Sequence, residues 1–182
     1  MIKKYLKEKH HLNNYEIAQV EFVFKTVSSE LSKMMIMGIL FHEHLGLYLF
    51  ALCVMLYLRS TTGGVHFYTY TGCLAASILY MGLTIILLRN IVLPVYLQLI
   101  ALFLCILICY WVGPIVSKYR QEPSPQKFCQ CRNITCTGIF IYALTTYIMP
   151  ENQFITVGFW VIILHSLQLL TAKIRKKGGT AE

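Results

Sequence analysis

Cys73 and His66 are the side chains whose types and spacing best suit covalent chemistry in this 182-residue chain. A thiol attacks as its thiolate, and it needs a base within hydrogen-bond reach. Residues 59–73 read Arg-Ser-Thr-Thr-Gly-Gly-Val-His-Phe-Tyr-Thr-Tyr-Thr-Gly-Cys, the longest polar interval between two strongly apolar segments. Gly63 and Gly64 allow a sharp backbone turn, so His66 can fold back toward Cys73. Gly72 precedes the cysteine and an apolar helical block follows it. The thiol is therefore expected near a helix N-terminus, where the helix dipole favours a thiolate. Free N–H groups at that terminus are expected to suit an oxyanion. Arg59, at the end of the preceding helix, is placed to bind a substrate carboxylate or to orient the loop. A plainer reading of the same residues is a loop at a membrane edge with a packed thiol.

The elements that must position this stretch are apolar. The chain is 57% hydrophobic and only 13% charged, against about a quarter charged in a soluble domain. The apolar residues fall in blocks, among them 73–88, 91–112, 134–149 and 154–170. Crossing the hydrocarbon takes roughly 20 such residues, and about 17 at the lower limit. The fold class expected is all-α: a polytopic transmembrane helix bundle of about six helices, forming one domain over 1–182. The charged start has no apolar core with a small-residue cleavage site behind it, so no cleavable signal peptide is expected.

Further upstream, Ile17, Val20, Phe24, Val27 and Leu31 recur at helical spacing and predict an amphipathic helix. Glu21 and Lys25 lie on its polar face at the spacing of a helical ion pair. An apolar run follows over 34–41, is interrupted by His42-Glu43-His44, and resumes over 45–58. Lys and Arg favour the cytoplasmic side. Lys173, Arg175, Lys176 and Lys177 place the C-terminus there, and Lys118, Arg120, Lys127 and Arg132 place the loop 113–133 there. The loop 59–73 falls on the same side. Lys3, Lys4, Lys7 and Lys9 need an even number of crossings before Arg59, which two helices of about 17–41 and 45–58 supply. The alternative is an interfacial helix over 15–33 followed by a half-crossing segment. Pro94 is expected in the first turn of the 91–112 helix, and Pro123-Ser124-Pro125 to keep 115–133 non-helical.

The pattern Arg59, Gly63-Gly64, His66 and Cys73, between hydrophobic helices in a chain of this length, resembles the accessory gene regulator B (AgrB) family of bacterial membrane cysteine endopeptidases. The amphipathic N-terminal segment and the basic, proline-containing loop after Pro114 agree with it. The resemblance implies cleavage of the C-terminal part of a small quorum-sensing precursor peptide (AgrD-like) at the cytoplasmic face of the cell membrane. The peptide carbonyl passes to the cysteine as a thioester, which an internal Cys or Ser of the peptide displaces to give a thiolactone or lactone. Carried over by position, Cys73 is the nucleophile and His66 the general base, with Arg59, Gly63 and Gly64 in supporting roles. Two departures stand out. Phe67 follows the motif histidine where a small residue is usual, and Lys25 stands where a first-helix glutamate is expected. With no Asp anywhere in the chain, an orienter for His66 is left open among Glu16, Glu21, Glu30, Glu122 and Asn133.

The expected partners are the precursor peptide and membrane lipid, with a homodimer on grounds of family resemblance and small size. No cofactor or metal is expected. Cys129-Gln-Cys131 with Cys136 lacks the spacing of a structural zinc site. The net charge of +8 clusters beside the apolar blocks and reads as a topology and headgroup signal, not as a nucleic-acid face. Cys53, Cys105, Cys109 and Cys136 lie in or beside apolar runs and are expected to pack as small hydrophobes. His165 is expected to face the bundle as a hydrogen-bonding residue. A rival function is a small transporter or metal-handling channel built on Glu21, Lys25, His42, His44 and His165.

Overall fold

The computed structural model describes residues 14–63, 69–115 and 124–178. They contain six α-helices and no strand. These are α1 (Asn14–Leu40), α2 (Leu45–Thr62), α3 (Tyr70–Gly82), α4 (Val95–Val112), α5 (Pro125–Ile148) and α6 (Gln153–Gly178). The stretches His42–Thr62, Tyr70–Asn90, Val95–Val112 and Gln153–Ile174 are long and apolar enough to cross a membrane. With the outward-facing Leu79, Phe103, Trp111 and Ile148, they make this a membrane protein.

The contacts divide the chain into two units, Met1–His42 and Glu43–Glu182. The first is built on α1, whose Lys33 pairs with Glu30 one turn earlier. The expected Glu21–Lys25 pair falls partly outside the described side chains, since nothing is described of Glu21 beyond its backbone. The polar triplet His42–His44 forms a single 3-10 turn after α1 ends.

In the second unit, successive helices alternate in direction. Gly63 and Ile115, just past the ends of α2 and α4, form a parallel bridge. Trp160 Nε1 donates to Ile91 O before α4 begins (3.1 Å), and Lys173 Nζ to Trp111 O at its end (3.0 Å), so α4 and α6 are parallel. Helix α5 runs against them. Tyr57 Oη donates to Ile134 O near one end of α5 (2.7 Å) and Tyr142 Oη to Ile155 O toward the other (2.6 Å). Thus α2, α4 and α6 all finish at one end of the unit, which puts the starts of the loops after 63 and 115 side by side. Arg59 in the last turn of α2 and Lys173 near the end of α6 bring positive charge to the negative ends of these helix dipoles.

The core between α2, α4, α5 and α6 is made of Leu58, Leu102, Cys105, Cys109, Ile139, Phe159, Ile162 and Leu169. Lipid tails are as apolar as these side chains, so close packing and internal hydrogen bonds hold such a bundle together. Gly138 shows the consequence: a Cβ there would overlap the Tyr57 ring, so the bare backbone lets α2 and α5 approach. Cys105 and Cys109 are buried as expected, whereas Cys53 faces outward.

Three boundaries differ from the sequence expectation. Helix α4 starts at Val95, with Pro94 as its N-cap and not inside its first turn. Proline disfavours helical backbone in the residue before it, and 91–93 are accordingly non-helical. Helix α5 begins at Pro125, inside the stretch expected to be a loop, because proline is well suited to the first helical position and Ser124 caps it. Ser124 Oγ accepts from Lys127 N at 3.4 Å. Lys127 and Arg132 are therefore helical, and the Arg132 guanidinium lies 4.1 Å from the centre of the Tyr110 ring. Finally, α3 does not run straight into a turn but passes through a π-helical segment, Leu83–Leu87, and a 3-10 turn, Leu88–Asn90.

Candidate active site

Three of the five expected site residues lie among the described residues. Arg59 sits in the last turn of α2, Gly63 just beyond it, and Cys73 in the first turn of α3. Gly64 and His66 fall outside the described residues, as do Glu122 and the side chain of Glu16 among the proposed orienters of His66.

Gly63 has a reason to be glycine. Its φ of 75° with ψ of −150° is backbone that side-chain-bearing residues avoid. A Cβ at this position would also strike the carbonyl oxygen of Ile115. Thr62 fixes the same corner from three directions. Its carbonyl accepts from Ile115 N (2.9 Å), its hydroxyl donates to Leu58 O (2.7 Å), and the hydroxyl oxygen lies 2.7 Å from His165 Nε2. A hydroxyl has one proton. With that proton on Leu58 O, His165 is the donor to Thr62 and carries its hydrogen on Nε2. The Nδ1 atom, buried without a partner, is then an acceptor rather than an orphaned donor. His165 thus faces the bundle and makes a hydrogen bond, as its sequence context suggested.

Helix α3 starts earlier than expected. Thr69 is its N-cap, and Thr69 Oγ1 accepts from Gly72 N at 3.2 Å. Cys73 N donates to Thr69 O at 3.1 Å. The thiol lies within reach of the positive helix end, but the N–H groups of Gly72 and Cys73 are already engaged. Gly72 and Cys73 lie inside the capped first turn, so these two N–H groups belong to the helix.

The C-terminal end of α3 and the π-helical segment after it are anchored in the bundle. Tyr80, Met81, Thr84 and Ile85 are buried, and Tyr80 Oη donates to Val161 O on α6 at 2.7 Å. Ahead of Tyr80, α3 leaves a cleft lined by Met55, Arg59, Cys73, Ala76, Ser77, Tyr80 and Gln168. Arg59 and Cys73, well apart in sequence, meet in this cleft. Gln168 on α6 was missed by sequence reasoning. Its signal was there: a polar side chain one turn after His165 in an otherwise apolar stretch, which is costly in a membrane helix unless it is used.

The profile of the family described as Accessory gene regulator B matches residues 1–170. An AgrB-like protein of Clostridium beijerinckii is 31% identical over 80 residues, which cover 43% of this chain and 40% of that relative. The aligned part thus spans well under half of the relative's length. No solved structure matches.

Proposed function

The chain belongs to the accessory gene regulator B family, and from this premise we propose that it is a membrane cysteine endopeptidase that processes a small quorum-sensing precursor peptide. The observation that carries the reading is the meeting of Cys73 and Arg59 in one cleft, with the thiol in the first turn of α3. Family membership itself gives a membrane protein of the accessory gene regulator system. The chemistry, the peptide and the residues are the proposal.

In this reading His66 takes the proton of Cys73, and the thiolate attacks the carbonyl carbon of the scissile peptide bond. A C–S bond forms and the carbonyl π electrons move onto oxygen. Collapse of this intermediate breaks the C–N bond, and the leaving amine takes the proton back from His66. The product is a thioester on Cys73, which keeps much of the acyl-transfer potential. An internal Cys or Ser of the AgrD-like peptide then displaces Cys73 and closes a thiolactone or lactone ring without an external energy source. A site at the membrane edge limits competing water. The basic residues gathered at the end of the bundle that holds Cys73 support a cytoplasmic position for the site.

The test is mass spectrometry of the full chain in lipid after incubation with the amphipathic precursor peptide encoded beside it. A thioester adduct on Cys73 is expected, absent in Cys73→Ala. Cys73→Ala and His66→Ala should each lose cleavage while inserting normally. Normal cleavage by Cys73→Ala sinks the reading.

A further inference from the structure

We propose that Gln168 is a further catalytic residue: its side-chain amide, together with the Arg59 guanidinium, holds the oxyanion that forms when Cys73 attacks the peptide carbonyl. The inference rests on the endopeptidase reading above. Acyl transfer to a thiol needs hydrogen-bond donors at the developing oxyanion, fixed before the reaction begins. Cysteine sites at helix N-termini commonly take such donors from the helix backbone. Here the two N–H groups nearest the thiol are committed to the helix, Gly72 N–H to the Thr69 hydroxyl and Cys73 N–H to the Thr69 carbonyl. Side chains that face the thiol across the cleft are then candidate donors.

The cleft supplies few. Tyr80 lines it, but its hydroxyl proton goes to Val161 O. Ser77 lies on the same helix as the thiol, one turn further on, so it forms the wall beside Cys73 rather than the wall opposite. Arg59 and Gln168 reach the cleft from α2 and α6. Among the described residues, neither side chain makes a hydrogen bond or an ion pair within the protein. Both side chains are half-buried and open to the cleft, so their donors are available to a bound group. The amide nitrogen of Gln98, buried in α4, is by contrast engaged within the protein, donating to Leu93 O at 2.7 Å, while its oxygen is buried without a partner.

The two donors are held at a fixed separation. One turn beyond Arg59 on α2 is Thr62, and one turn before Gln168 on α6 is His165, and these two are joined at 2.7 Å. That buried bond locks α2 against α6 next to the cleft, so Arg59 and Gln168 face the same space without touching each other. This is preorganisation of the kind that lowers a barrier without a reorganisation cost at the moment of reaction.

The experiment uses the full chain in lipid nanodiscs with the synthesised precursor peptide. It also uses a peptide aldehyde that ends at the mapped cleavage residue and forms a hemithioacetal whose oxygen mimics the oxyanion. Gln168→Ala should lower the single-turnover acylation rate about a hundredfold, leave peptide affinity unchanged, and weaken the aldehyde by the same factor as the rate. Gln168→Glu should lose more, since its carboxylate repels the oxyanion. Gln168→Met keeps the length and apolar packing but has no donor, and it takes over if the alanine variant fails to fold. Wild-type acylation in Gln168→Met with Cys73→Ala inactive overturns the proposal and leaves the endopeptidase reading standing. An equal loss of peptide and aldehyde affinity with an unchanged rate overturns it as well, because Gln168 is then a binding contact. Cleavage by Cys73→Ala overturns both.

Discussion

Helices α2 and α6 face each other with two polar pairs within one helical turn, and the two pairs are opposites. Thr62 and His165 are buried and bonded to each other at 2.7 Å. Arg59 and Gln168, one turn away, face a cleft and bond to nothing described in the protein. The first pair is a closed seam whose Thr62 hydroxyl and His165 Nε2 are spent on the fold. The second is an open seam whose polar groups are kept for something else. Both side chains of the open seam are half-buried and face the cleft, so their donors stay available to a bound molecule. The difference teaches where to look in a membrane bundle: polar residues that satisfy one another mark architecture, and those that do not mark the site.

This contrast can be broken by substitution. The largest effect is expected at the open seam: Arg59→Leu should reduce precursor cleavage at least about a hundredfold, as loss of a preorganised donor does. The melting temperature in detergent should stay the same or rise. A large fall in melting temperature would mean that Arg59 serves the fold and that the seams are alike. Next comes Gly63→Ala. The positive φ and the Ile115 carbonyl both oppose a Cβ there, and backbone strain of this kind costs about 1–3 kcal/mol. Cleavage should fall together with stability, because the motif loop starts at this residue. Retention of both would show that the corner is not needed.

At the closed seam the ranking should reverse. Thr62→Val and His165→Leu are each expected to cost about 1–2 kcal/mol of stability through the orphaned partner and to change cleavage less than Arg59→Leu does. The double variant should cost clearly less than the sum, as expected for residues that share one bond, and a purely additive result would deny the coupling. The smallest effect is expected from Cys109→Ala. Its thiol is buried and lies 3.9 Å from Ser166 Oγ, so it acts as a small hydrophobe. Cleavage should stay near wild type, and loss of activity without loss of fold would mean that a second thiol takes part in the chemistry.

Much of this was legible in the sequence. Block length and composition gave a helical membrane bundle, and the break at His42-Glu43-His44 marked the end of the first helix. Arg59 and Cys73, singled out by type and spacing, both line the cleft. What was not legible depended on local competition for hydrogen bonds. Thr69 caps α3 three residues before Gly72, so the helix starts ahead of the apolar block and the N–H groups of Gly72 and Cys73 are bonded to Thr69. Pro94 was read as lying within the first turn of a helix and Pro125 as part of a loop, whereas Pro94 caps its helix and Pro125 starts one. Gln168 was missed because it comes from the far end of the chain, and only the parallel packing of α2 and α6 brings it to Arg59. The histidine at position 66 lies outside the described residues, so what orients it stays as open as the sequence left it.

One more consequence belongs to the π-helical segment Leu83–Leu87, where Leu88 N donates to Leu83 O across a wider turn than an α-helix makes. Such a turn holds one surplus residue. Deleting Ile86 lets it close to an ordinary turn, so Tyr80 on one side and Arg89 on the other keep their bearings. Deleting Ala75 instead swings Cys73 about 100° around the axis relative to the anchored half of α3, away from the wall it shares with Ser77. The helix that carries the thiol is thus free to vary in length at its distal end and fixed in register between Cys73 and Tyr80.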